Sequence, residues 1–223
     1  MKKIFLSVEG STEARFVEEL LQPLFDDAAC SLQPVILTTS RDPQGKAYKG
    51  GVSKYAKIRD EVLHLCRDSS ATVITTMYDL YGLPKDFPGM QSVKANWTPL
   101  QKVQFLETEF AKDINDARFV PYLSLHEFEA LLFSDKDQLV SFLKQIGARS
   151  KGVSQLQEIG LSPEDIDDNY PPSKRIKNAF EKYQKVTDGL LLAKKIGVDA
   201  MLAHCPHFRQ WVETLQQRCQ GDS

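Results

Sequence analysis

Four carboxylates stand where chemistry collects in open α/β sheets, at the carboxyl ends of strand-like segments. Glu9 closes the apolar run Ile4-Phe5-Leu6-Ser7-Val8, Asp79 closes the β-prone stretch from Ala71 to Tyr78, and Glu127 and Glu129 follow the run from Arg118 to Leu125. Acids brought together at such ends repel one another unless a cation neutralises them. Mg²⁺ or Mn²⁺ takes oxygen ligands of this kind and keeps waters and substrate phosphates as the rest of its shell. One or two such ions activate a water and stabilise the leaving oxygen in phosphodiester cleavage. The pattern therefore points to a phosphoryl-transfer site with Glu9, Asp79, Glu127 and Glu129 as metal ligands. Taken singly, each acid is as readily a helix cap or a solvated turn.

Other residues supply candidate supporting chemistry. His126, beside Glu127, reads as a proton-transfer group, a ligand, or a buried histidine satisfied by a backbone carbonyl. Lys174 and Arg175 follow Pro171-Pro172-Ser173 at a helix start, where two cations and backbone N–H groups bind phosphate, or where a basic turn is merely solvated. Glu13 sits in the first turn of a helix, which favours a carboxylate on structural grounds and leaves it a supporting role behind Glu9. The segment from Ser40 to Ser53, with Arg41, Lys46 and Lys49, reads as a basic loop, either a phosphate contact or a connector. His204-Cys205-Pro206-His207 has no second cluster at zinc spacing and reads as a helix-breaking turn. A nucleotide-binding enzyme of the P-loop or dinucleotide type is excluded: there is no GxxxxGK[ST], and Glu9-Gly10-Ser11-Thr12-Glu13 has one glycine where GxGxxG needs three.

The elements that must carry these residues alternate. A strand over 2–8 leads into a helix capped by Ser11 or Thr12, with apolar positions Phe16, Val17, Leu20, Leu21, Leu24 and Phe25. A short strand is expected over 34–39, and a helix with Tyr55, Ile58, Val62, Leu63 and Leu65 on its apolar face. Residues 71–79 lack strict alternation, as an interior parallel strand covered on both faces does. Thr98-Pro99 opens a helix to about Ile114, and a fourth strand runs over 118–125. Helices between consecutive strands are what parallel crossovers need. From about Ala130 the chain reads as helical, over 129–133, 135–146, 176–185, 189–196 and 207–217. The expected fold is α/β, a mostly parallel sheet flanked by helices, with a core over 1–135 and a helical C-terminal region over 136–223.

Composition narrows the partners. With 28 basic and 30 acidic residues among 223, the net charge of -2 gives no global field for nucleic acid, so any polyanion site must be a local patch. The four cysteines are widely spaced without a CxxC pair, which leads to the expectation of reduced thiols and a cytoplasmic protein. The longest apolar runs fall far short of the roughly 20 residues that span a bilayer, so no membrane segment is expected.

Val8-Glu9-Gly10-Ser11-Thr12-Glu13, Tyr78-Asp79-Leu80-Tyr81-Gly82, Leu125-His126-Glu127-Phe128-Glu129-Ala130-Leu131, Pro172-Ser173-Lys174-Arg175 and the late Cys205-Pro206-His207-Phe208 together resemble an uncharacterised bacterial domain-of-unknown-function family regarded as Toprim-like. Toprim domains, among them those of overcoming-lysogenization-defect nucleases, bind Mg²⁺ through a glutamate after the first strand and a DxD pair after the third. The resemblance implies that Glu9 is that glutamate and Asp79 the first aspartate. Tyr81 replaces the second aspartate, and Glu127 and Glu129 stand as the ligands that make up the loss. The resemblance also implies an ABC-type ATPase partner in a bacterial defence system.

The combined expectation is a Mg²⁺- or Mn²⁺-dependent nuclease acting on DNA or RNA, with Glu9, Asp79 and His126 in catalysis and Lys174 and Arg175 on phosphate. Two alternatives stand beside it. One is a non-catalytic module that binds an ATPase partner, which the Tyr81 departure favours; the other is a small-molecule phosphoesterase.

Overall fold

The computed structural model describes residues 1–37, 54–166 and 170–221. Two compact units emerge, one of residues Met1–Leu125 with Glu213–Ser223, the other of His126–Val212. The first is an all-parallel sheet with helices packed on it, and the second is helical, so the α/β class with a helical C-terminal region holds.

In the first unit, strand β1 (Lys2–Val8) pairs with β2 (Cys30–Ile36) on one side and β3 (Ala71–Asp79) on the other, both parallel. Interior position explains the sequence: Ile4, Leu6 and Val8 of β1 and Val73, Ile74, Met77 and Tyr78 of β3 are all buried. Helices α2 (Tyr55–Cys66) and α3 (Pro99–Ile114) close over Ile74 and Tyr78 through Ile58, Val62, Val103, Leu106 and Phe110. Phe87 and Phe110 meet edge to face inside that cluster, with ring centroids 5.0 Å apart.

Helix α3 begins as Thr98-Pro99 leads one to expect. Thr98 Oγ1 accepts from the Gln101 amide, and the Gln101 side chain accepts from the Thr98 amide, a reciprocal capping box. Helix α1 (Ser11–Phe16) differs from expectation at its start. Gly10 takes the capping position with no side-chain cap bond, so Ser11 and Thr12 fall inside the first turn instead of capping it.

Two strands also differ. β2 occupies Cys30–Ile36 and so begins before the strand expected over 34–39, of which 38–39 lie outside the described residues; Pro34 is paired opposite Leu6. Among the described residues β2 is an edge strand, where a missing N–H can face away from the ladder. The fourth strand is broken into β4 (Phe119–Val120) and β5 (Leu123–Ser124), both paired parallel to β3. Pro121 interrupts the ladder, and Thr76 Oγ1 bridges the gap by accepting from the Tyr122 amide at 3.1 Å and donating to its carbonyl at 3.0 Å.

In the helical unit, residues Phe128–Ser134 form a 3₁₀ segment, followed by α4 (Lys136–Gln145), α5 (Ser150–Gln157), α6 (Pro172–Ala179), α7 (Leu190–Ile196), α8 (Val198–His204) and the opening turns of α9 (Pro206–Gln220). Helices α5 and α6 touch at Gly152, where an added Cβ would lie 2.4 Å from the Ala179 Cα. The expectation of four reduced cysteines fails: Cys30 at the start of β2 and Cys219 near the end of α9 form a buried disulfide, while Cys66 and Cys205 stay free. Residues 189 apart in sequence meet there, a proximity that cysteine spacing does not reveal. No described helix is long and apolar enough to cross a membrane.

Candidate functional site

The parallel register of β1 and β3 decides which acids meet. Val8 lies opposite Met77, so Glu9 emerges beside the end of β3, where Asp79 is the final residue. The Asp79 amide donates to Glu9 Oε1 at 2.8 Å, fixing the Glu9 carboxylate over the strand end. Both acids are half-buried above buried Val8, Met77 and Tyr78. Beneath them the Tyr78 hydroxyl donates to Ser7 Oγ at 2.6 Å, and burial, with Glu61 and Glu9 adding negative charge, pushes its phenol well above the ordinary range.

Two glycines shape the space around these carboxylates. A Cβ at Gly82 would lie 3.0 Å from Glu9 Oε1, so the short turn Leu80–Gly82 closes against the carboxylate only because no side chain intervenes. A Cβ at Gly10 would lie 3.2 Å from Glu13 Oε2; Glu13 is buried in the first turn of α1 and curls back toward the Glu9-Gly10 turn. Tyr81, which stands where the resemblance leads one to expect a second aspartate, is 45% exposed.

The remaining expected site residues lie in the helical unit and have local partners. Glu127 Oε2 accepts from the Ser173 amide at 3.1 Å, so an internal carboxylate meets the first turn of α6, where a phosphate was expected at the backbone N–H groups. Lys174 is exposed. Arg175 Nε donates to the Tyr170 carbonyl at 2.9 Å, with its guanidinium 5.3 Å from the Tyr170 ring centroid. Glu129 is buried, and Lys185 Nζ lies 3.6 Å from its Oε2. Burial pushes the nearby Tyr183 hydroxyl far up, with the Glu129 charge the next cause.

Buried His126 donates from Nε2 to the Glu164 carbonyl at 3.0 Å. The Glu164 carboxylate in turn accepts from the amides of His207 and Phe208, at 3.1 and 3.0 Å, and so caps α9. Glu9 and Asp79 are thus brought together, as are Glu127 with Ser173 and Glu129 with Lys185. The basic loop expected over 40–53 lies outside the described residues.

Among the described residues, no group of three or more His, Cys, Asp or Glu side chains is placed to hold a metal ion. Glu9 and Asp79 nonetheless suit part of a Mg²⁺ shell, since that ion is commonly held by one or two carboxylates with waters and substrate phosphates supplying the rest. Sequence reasoning missed Gly82, Lys185 and Glu164. Gly82 alone left a local signal, a glycine three residues beyond the strand-end aspartate; the other two act through contacts 38 to 56 residues away along the chain.

No curated protein matches the chain. Among solved structures, the C-terminal region of the OLD protein of Xanthomonas campestris pv. campestris is similar over 99% of this chain and 95% of that one, at 14% identity and a TM-score of 0.48. A family model spans residues 8–216, from the last residue of β1 into α9 and so through every candidate residue above, and by that match the chain belongs to the domain of unknown function family DUF4276.

Proposed function

We propose that the chain is a divalent-metal-dependent nuclease, with Glu9 and Asp79 as its central carboxylates. The observation that carries this reading is their meeting at the carboxyl ends of two adjacent parallel strands, joined by the 2.8 Å bond from the Asp79 amide to Glu9 Oε1. The Toprim-like sequence pattern agrees, since it assigns metal binding to the same two positions. A bound Mg²⁺ or Mn²⁺ would supply charge neutralisation and an activated water.

The chain's own groups have distinct tasks in this proposal. Glu9 and Asp79 hold the cation. The Asp79 amide keeps Glu9 oriented, and Gly82 lets the following turn approach without displacing it. Glu13 supports the turn from behind, and exposed Lys174 meets a substrate phosphate as a point charge. His126 is assigned proton transfer. An ABC-type ATPase is the proposed partner and DNA or RNA the substrate.

Incubation of purified protein with Mg²⁺ or Mn²⁺ and with labelled DNA or RNA, with and without such a partner, is expected to yield cleavage. Glu9→Gln and Asp79→Asn are each expected to lower the rate by a hundredfold or more, on the order of 3 kcal/mol of transition-state stabilisation. Equal cutting by both variants and the wild type would overturn the proposal. Glu127→Gln, Glu129→Gln and His126→Gln in the same assay measure what those residues contribute.

A second reading has one observation in its favour. Tyr81, 45% exposed, stands at the second aspartate position. An exposed aromatic there suits a protein contact better than an ion, as in a binding module without catalysis. That reading predicts partner binding that weakens with Tyr81→Ala and no cleavage under any metal condition.

A further inference from the structure

Helices α5 and α6 touch at the Gly152–Ala179 contact, which pairs the beginning of one with the end of the other. Beside this contact lies an open cleft of about 290 Å³, lined by Gly152, Gln155, Leu156, Ile159, Tyr170, Arg175 and Asn178. Its size is near the lower end of small-ligand sites, which run from roughly 300 Å³ upward.

The lining divides by chemistry. Leu156 and Ile159 give an apolar wall. Gln155 and Asn178 carry amides, each able to donate and accept at once, which is how side chains read the edge of a nucleobase. Asn178 Nδ2 also donates to the Tyr170 hydroxyl, and this bond ties the end of α6 to the aromatic ring.

Arg175 is held from two directions, by its Nε bond to the Tyr170 carbonyl and by lying over the Tyr170 ring. These contacts leave the terminal guanidinium nitrogens to present a planar fork, suited to phosphate oxygens, and a flat face on which a base stacks. Helix α6 carries Lys174, Arg175 and Lys177 and no acidic residue within Pro172–Ala179, which places the basic side of the cleft at Arg175.

We infer that this cleft binds one nucleotide, its base against Leu156 and Ile159 and read by Gln155 and Asn178, its phosphate at Arg175. The inference rests on the nuclease reading only for its biological sense, because it names the substrate unit that the helical unit would hold. The same chemistry has two sources, a free mononucleotide or the terminal nucleotide of a strand.

The test is calorimetric titration of the full chain with each of the four nucleoside 5′-monophosphates, with ribose 5-phosphate, with inorganic phosphate, and with a short single-stranded oligonucleotide. Saturable binding of at least one monophosphate is expected, about tenfold or more tighter than ribose 5-phosphate, and weakened about tenfold by Arg175→Gln and by Asn178→Leu. Both positions are at least partly open to solvent, so the variants should fold, which circular dichroism checks. An oligonucleotide that binds at least tenfold more tightly than any monophosphate assigns the cleft to strand ends; the reverse assigns it to free nucleotides.

Absence of saturable binding for every nucleotide ligand overturns the inference. So does equal affinity for phosphate and monophosphates, which marks an anion site only, or binding unchanged in both variants. Cleavage of nucleic acid without nucleotide binding here would sink the cleft alone. Nucleotide binding without cleavage would sink the nuclease reading alone.

Discussion

The hydrogen bonds from Arg118 hold the Asp116 carboxyl down at about 2, its guanidinium first and its amide also contributing. The same guanidinium donates to the carbonyls of Cys66, Asp68 and Ala71, so one ion pair fastens the end of α2 to the start of β3. An unfolded aspartate titrates near about 3.9. The stability from this pair is therefore complete above that pH and is lost as pH falls toward about 2. Urea midpoints of the wild type are expected to fall across that window, and Asp116→Asn, less stable at neutral pH, should fall less steeply. Parallel profiles for the two proteins would remove the pair from the account. Glu9 and Asp79 were legible through the apolar runs that end beside them, whereas Asp116 carried no such signal. The sequence did not show that Asp116 faces a fixed arginine two residues on, or that Glu127 meets the amide of Ser173, 46 residues away.

At the scale of elements, legibility followed the strength of local patterning. β1, β3 and α3 were readable because each joins a long apolar run or period to a definite start or stop, such as the Thr98 capping box. β2 was placed too late because Pro34 sits inside it at the sheet edge, and the fourth strand was read as continuous although Pro121 breaks it into β4 and β5; edge position and ladder breaks are properties of the sheet. The Cys30–Cys219 disulfide joins the first residue of β2 to α9, beside the Lys2 Nζ bond to the Gly221 carbonyl and the Gln216 bond to the Leu24 carbonyl. A crosslink closing so long a loop restricts the unfolded chain and typically contributes about 2–5 kcal/mol. Cys30→Ser, or a reducing agent, is expected to lower the chemical unfolding midpoint accordingly, and the two treatments should not add. An unchanged midpoint in both would show that β2 and α9 hold together without the bond. The free thiols of Cys66 and Cys205 are pushed up by burial to about 11 and about 12, so neither competes readily as a thiolate.

For the whole molecule, charge balance and topology set the terms on which it meets a polyanion. A net charge of -2 supplies no long-range pull, so the nucleic acid of the proposed reaction would have to be engaged locally, by basic elements such as α6. The parallel sheet was legible from alternating strand and helix patterns, and with it the pairing of Glu9 and Asp79, because adjacent parallel strands end at the same edge. The partners of Glu129 and His126 were not, since they depend on helix packing within residues 126–212, which carries no short-range signature. The central claim is that Glu9 and Asp79 together bind a divalent cation, and it is tested most directly by titrating Mn²⁺ into the protein while the electron paramagnetic resonance signal of the free ion is followed. The account predicts saturable binding that Mg²⁺ displaces and that Glu9→Gln and Asp79→Asn each weaken by about tenfold or more, with unfolding midpoints close to wild type. Mn²⁺ affinity that is the same in the wild type and both variants would contradict it.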